Sequence, residues 1–142
     1  MGKKRILVID DDVHATRILK VGLEKTGTFK VREVNRGAEA LLAAKEFQPD
    51  AILLDVCIPD VEGSEIAFQI RNQPGLHHTP IVFLTCIVSE QELTEKGGVI
   101  GGHRYIAKPT RVERVIAYLE NILGMRAPDS SSAAVPASSS SP

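Results

Sequence analysis

Four short apolar runs in this chain each end in a residue able to do chemistry. Ile6-Leu7-Val8-Ile9 runs into Asp10-Asp11-Asp12, Ala51 to Leu54 into Asp55, Ile81 to Leu84 into Thr85, and Tyr105 to Ala107 into Lys108. If the first and third of these segments are adjacent strands, Asp10, Asp11 and Asp55 converge in a small volume. Like charges so close repel by several kcal/mol at intermediate dielectric, and the cluster needs a compensating cation. A hard, oxygen-seeking ion such as Mg²⁺ suits a site of carboxylate, carbonyl and water, and no His/Cys set is spaced for zinc. Lys108 adds a second positive charge and Thr85 a hydroxyl. A carboxylate nucleophile with Mg²⁺, a Lys and a Thr makes a site for phosphoryl transfer to an aspartate, with the acyl phosphate held rather than expelled.

Each residue also has a plainer explanation. Asp11 or Asp12 would cap a following helix, Asp55 would form a turn, Thr85 would favour a strand, and Lys108 before Pro109 would be a solvated loop cation. Tyr105, at the start of a short strand, would simply pack. It is their joint placement at strand ends that favours the chemical reading.

The elements that must position these residues follow from periodicity. Near-continuous apolar runs suit strands buried on both faces of a parallel sheet, whereas Phe29 to Val34 alternates as a half-exposed edge strand does. Helical patterns lie between them. Val13 to Thr26 stops at Gly27, Ala38 to Phe47 ends before Pro49, and Ser64 to Asn72 starts from a Gly63-Ser64 cap. Ser89 to Lys96 opens with Ser89 and Glu92 at capping-box spacing, and Thr110 with Glu113 opens a last helix through Leu123. Five strands alternating with five helices predict an α/β fold, one doubly wound parallel sheet, whose chemistry gathers at the C-terminal strand edge beside the switch in strand order.

Residues 1–125 are expected to form one folded domain and 126–142 a disordered tail, because Asp129 to Pro142 is almost entirely Ser, Ala and Pro. With 142 residues and a net charge of -1, the composition argues against a dedicated nucleic-acid or membrane-surface binder. Lys3, Lys4 and Arg5 are expected to be a solvated lead-in to the first strand. Cys57 and Cys86 are too few for a disulfide framework. No apolar stretch approaches the roughly 20 residues that span a bilayer, and no signal-peptide pattern opens the chain, so a cytoplasmic location is expected.

The segments Ile6 to Asp12, Leu53 to Gly63, Pro80 to Thr85 and Tyr105 to Pro109 together resemble the response-regulator receiver family, over about Lys3 to Leu123. The resemblance implies a flavodoxin-like sheet of strand order 2-1-3-4-5 and a signalling module rather than a turnover enzyme. It implies Asp55 as phosphoacceptor, loaded from a sensor histidine kinase or a histidine phosphotransfer protein. Asp11 corresponds to a direct Mg²⁺ ligand, Asp10 acts mostly through water, and the backbone carbonyl of Cys57 completes the protein ligands beside Asp55. Thr85 and Lys108 correspond to the groups that bind the phosphoryl oxygens, and Tyr105 to the aromatic that turns inward as Thr85 moves. The Lys108-Pro109 bond is cis in the family. Output is expected through the face formed by the fourth helix, fifth strand and fifth helix, to a protein target or in a phosphorylation-dependent homodimer. No output domain is read after the last helix, and direct nucleic-acid or membrane contact is not expected.

Several positions depart from the family pattern. Cys57 and Ile87 stand where fast-hydrolysing members place amide or acid side chains that orient water, so a long-lived phospho-Asp55 is expected. Cys86 follows Thr85, where a smaller residue is usual. Gly97-Gly98-Val99-Ile100-Gly101-Gly102 predicts a short fourth helix and a mobile loop. His14, His77, His78 and His103 lack the acidic spacing of a metal site.

Three other functions compete with this one. A phosphate-independent pseudo-receiver conflicts with the intact Asp10, Asp11, Asp55, Thr85 and Lys108. An aspartate-nucleophile phosphatase would place an acid where Cys57 stands. A flavin carrier of the same fold would need a Ser/Thr/Gly phosphate cradle instead of Asp10 to Asp12.

Overall fold

The computed structural model describes residues 2–56, 58, 60–85, 99–100, 103–108 and 111–125. Its elements run β1 (Lys4–Ile9), α1 (Val13–Glu24), β2 (Phe29–Val34), a 3-10 turn (Gly37–Glu39), α2 (Ala40–Phe47), β3 (Ala51–Asp55), α3 (Gly63–Arg71), β4 (Ile81–Thr85), β5 (Val99–Ile100), β6 (His103–Ala107) and α4 (Val112–Ile122). The sheet order is β2-β1-β3-β4-β6-β5. The pairings from β2 through β6 are all parallel, so the expected 2-1-3-4-5 order holds once β6 is counted as the fifth parallel strand.

The additional strand is β5, which pairs antiparallel with β6 through Val99↔Arg104 and Ile100↔His103. The glycines around it read in the sequence as helix breakers. Val99 and Ile100, which the sequence places in a mobile loop, are instead held in the sheet by these pairings. The predicted fourth helix, Ser89 to Lys96, lies outside the described residues, as do Gly97, Gly98, Gly101, Gly102 and the 126–142 segment.

Alternation along the central strands explains why their runs are apolar throughout. Leu7, Ile9, Ile52, Leu54, Ile81 and Phe83 pack on one side with Ala40, Ala43 and Ala44 of α2 and Ile66, Ala67 and Ile70 of α3. Ile6, Val8, Leu53, Val82, Leu84 and Ile106 pack on the other with Leu19 and Leu23 of α1 and Val115 and Leu119 of α4. Each such large side chain contributes about 1.5–3 kcal/mol on burial. Edge strand β2 buries Phe29 and Val31 and exposes Lys30 between them, the alternation its sequence shows, while Val34 is buried on the opposite face of the sheet.

Helix ends differ from the sequence reading in instructive ways. Asp12 caps α1, its carboxylate accepting from the amides of His14 at 2.9 Å and Ala15 at 3.3 Å. The N-cap of α3 is Glu62, not the Gly63-Ser64 pair, and that of α4 is Arg111, not Thr110; neither is capped by its side chain. Thr110 itself lies outside the described residues. Lys4 and Arg5 belong to β1 rather than to a lead-in. The Arg5 guanidinium donates to the Gln48 carbonyl at 3.0 and 2.8 Å, satisfying the left-handed end of α2. Among the described residues no helix is long and apolar enough to cross a membrane.

Candidate functional site

Strand register brings the predicted residues together. Ile9 is level with Leu54 and Asp55 with Leu84, so Asp10, one residue past β1, reaches the height of Asp55. Thr85 is level with Ala107, and the following amide, that of Lys108, donates to the Thr85 carbonyl at 2.7 Å. Asp10, Asp55 and Lys108 also continue the alternation of Val8, Leu53 and Ile106, the side of the sheet that faces α1 and α4. Sequence period and register together aim the three side chains at one spot.

Their geometry is that of a charged cluster with a shared cation. Oxygens of Asp10, Asp11 and Asp55 lie within 4.8 Å of one another. Asp10 is 1% exposed and Asp55 8%, whereas Asp11 is open to solvent. The Lys108 ammonium is 3.2 Å from Asp10 Oδ2 and 3.6 Å from Asp55 Oδ1. Burial pulls the Lys108 pKa down, but Asp10 first and Asp55 second outweigh it and hold the ammonium above its ordinary value. Each contact is of order 4 kcal/mol at the effective dielectric of a protein edge, before desolvation is subtracted. Thr85 is buried at the same edge.

The response regulator receiver domain family matches residues 6–120 of this chain. The chain is similar to the polar-differentiation response regulator DivK of Brucella anthropi, 30% identical over 123 residues that cover 85% of this chain and 97% of that protein. Among solved structures it resembles the chemotaxis response regulator CheY4 of Vibrio cholerae (TM-score 0.72, 26% identity, 85% of this chain and 99% of the other). It also resembles a putative response regulator from Chloroflexus aurantiacus (TM-score 0.72, 28% identity, 87% and 99%).

This chain belongs to the receiver domain family.

The receiver's acidic cluster suits a divalent cation. Asp10, Asp11 and Asp55 supply three negative charges and Lys108 one positive, which leaves a deficit of two. The donors are all hard oxygens, the set that Mg²⁺ takes. Asp12 is absent from the cluster because its carboxylate is already committed to the α1 cap. Cys57, whose carbonyl is the remaining expected ligand, lies outside the described residues, as do Cys86, Ile87 and Pro109.

Tyr105 is half-buried and stacks on Phe83, level with it on β4, with ring centroids 5.3 Å apart and planes at 29°. In this structure the ring packs along the sheet face of α2 and α3, against the core there. Among the described residues no histidine joins a metal-ligating group, and His77 Nδ1 pairs with the Arg71 carbonyl at 2.8 Å.

Two residues with structural roles at the site escaped the sequence reading. Asn35 donates to the Asp10 carbonyl at 2.8 Å and to Thr16 Oγ1 at 3.0 Å, which ties the β1–α1 turn to the end of β2. Its signal was the same as that of Asp10: a polar residue directly after an apolar strand. Asp60, in the β3–α3 loop, accepts from the amides of Gly37 and Ala38 at 3.0 Å each. An Asp after Pro59 reads as a turn former, and nothing local shows that its partners lie more than twenty positions upstream.

Proposed function

We propose that this receiver is a phosphorylation switch in a two-component relay, accepting a phosphoryl group on Asp55 from the phosphohistidine of a sensor kinase or a phosphotransfer protein. The observation that supports it most is the single Lys108 ammonium touching both Asp10 and Asp55 beside the exposed carboxylate of Asp11. An Asp55 oxygen attacks phosphorus, the P–N bond breaks, and its electron pair returns to the imidazole nitrogen of the donor. Asp11, Asp55 and the Cys57 carbonyl would hold Mg²⁺, with Asp10 acting mostly through water, and the ion would neutralise charge on the phosphoryl oxygens. Lys108 pairs with the phosphoryl group and Thr85 donates its hydroxyl to it, and Tyr105 leaves its place on Phe83 as Thr85 moves.

The domain is a signalling module rather than a turnover enzyme and works in the cytoplasm. Its output passes by protein contact through the face of the predicted fourth helix, β6 and α4, as a monomer or a phosphorylation-dependent homodimer. Because Cys57 and Ile87 orient water poorly, phospho-Asp55 is long-lived, and Cys57→Asn with Ile87→Glu shortens its lifetime.

The test is incubation of the full chain with acetyl phosphate and MgCl₂, followed by intact mass and peptide mapping. A gain of one phosphoryl group on Asp55, lost in Asp55→Asn and with EDTA, supports the switch. No gain at saturating Mg²⁺ refutes it and leaves the phosphate-independent interaction module.

A further inference from the structure

The β3–α3 loop leaves the acidic cluster at Asp55 and is pinned at three points. The Val56 amide donates to the Leu84 carbonyl at 3.1 Å, which continues the sheet one residue beyond β3. The Gly63 amide donates back to the Val56 carbonyl at 3.1 Å, so the loop closes on its own start. At its far side, the two oxygens of Asp60 take one backbone amide each, Oδ1 from Gly37 and Oδ2 from Ala38. The third tie is made by a side chain and joins the loop to the turn that begins α2.

The tie depends on both partners. A Cβ on Gly37 would stand 2.9 Å from Asp60 Oδ1, 3.0 Å from Val61 Cβ and 3.2 Å from Ile66 Cδ1, so only glycine lets the loop come this close. A carboxylate with one oxygen on each of two successive amides is a fork-shaped, charge-assisted contact, stronger and more directional than a neutral pair. Asp60 is committed to Gly37 and Ala38, so the pair acts on the cluster through the loop.

We infer that Asp60, seated on Gly37 and Ala38, is a positioning residue for the dication at Asp10, Asp11 and Asp55: it holds from its far side the β3–α3 segment that leaves the cluster at Asp55 and returns to Val56 at Gly63. The inference rests on the reading of that cluster as a Mg²⁺ site. With the tie intact, the ion meets carboxylates on a backbone already held at Val56, Asp60 and Gly63. Without it, binding must also order the loop, and affinity falls while the carboxylates themselves are unchanged.

The experiment uses the full chain and its Asp60→Ala, Asp60→Asn and Gly37→Ala variants, titrated with MgCl₂ and followed by the amide shifts of Val56 and Gly63. Asp60→Ala should weaken Mg²⁺ binding about tenfold. Asp60→Asn, which keeps one acceptor of two, should fall between it and wild type, at roughly threefold. Gly37→Ala should weaken binding in the same sense without removing any charge. Phosphorylation of Asp60→Ala by acetyl phosphate should be slow at low Mg²⁺ and return to the wild-type rate at saturating Mg²⁺, a rescue that a general folding defect does not show.

A folded Asp60→Ala whose Kd lies within twofold of wild type overturns the inference. If Asp60→Ala does not fold, the isosteric Asp60→Asn decides, and an unchanged Kd there overturns it equally. A wild-type chain that shows no Mg²⁺-dependent shift at Val56 or Gly63 removes the dication reading itself, and this inference with it.

Discussion

Lys108 and Asp10, 98 positions apart in the chain, meet at 3.2 Å with the carboxylate almost wholly out of water. A buried carboxylate with a cation on one oxygen and the Asp12 amide on the other, at 3.0 Å, is satisfied on both sides. Lys108→Met removes one of these partners. It should lower unfolding free energy by about 1–3 kcal/mol in Mg²⁺-free buffer, since the group left unpaired is buried and charged. Added MgCl₂ should recover part of the loss, and more than it adds to wild type, because the ion then does the work of the ammonium. Urea denaturation with and without MgCl₂ reads both effects, and an equal Mg²⁺ gain in the two proteins would contradict them.

Asp11 is the exposed member of the acidic trio, and Lys108 pairs with the other two. Replacing it by Asn removes one repulsive charge. Asp11→Asn should therefore stabilise the metal-free protein by up to about 1 kcal/mol, the scale of such repulsion near water. The same change should weaken Mg²⁺ binding at least tenfold, as expected for a lost charged ligand. Stability without metal and affinity for it should thus move in opposite directions, as a pair of thermal melts and a calorimetric titration would reveal.

Gly63 holds the loop against the site by having no side chain. A Cβ there would lie 2.9 Å from the Asp55 carbonyl oxygen, and 3.0 Å from Val56 Cα and the Val56 carbonyl oxygen. All three are backbone atoms, which cannot turn aside as a side chain would. Gly63→Ala should cost about 1–3 kcal/mol, the usual price of overpacking. It should also slow phosphorylation of Asp55 by displacing its backbone. A variant as stable and as fast as wild type would show that the loop has slack.

Acid sensitivity has a separate origin. Arg17 grips Glu33 with Nε and Nη2, each at 3.2 Å from a different carboxylate oxygen. The Arg17 hydrogen bond, opposed by burial, holds the Glu33 carboxyl below its ordinary 4.5. A carboxyl lowered by folding stabilises the native state above its unfolded pKa, and that contribution disappears as pH falls through the folded value. The melting temperature of Glu33→Gln should sit no more than a few degrees below wild type at pH 7, because the pair is at the surface. The gap should narrow as pH falls below 4.5, and a gap that kept its neutral-pH size throughout acid titration would exclude this cause.

How far the sequence reaches is clearest from particular residues. The apolar runs, the polar residue ending each, and the alternation of Phe29 to Val34 are local properties, and they determined the strands, the doubly wound class and the roster of Asp10, Asp11, Asp55, Thr85 and Lys108. Strand burial on two faces leaves little freedom of register, so residues that end such strands have to meet. Contacts between segments distant in the chain were decided only by tertiary structure. Which of Asp11 and Asp12 joins the cluster depended on which one the first turn of α1 recruits as its cap. That Val99 and Ile100 join the sheet depended on β6 offering them an open edge. The ties made by Asn35 and Asp60 have no periodic signal, because a single polar side chain in a turn finds its partner through the fold and not through its neighbours in sequence.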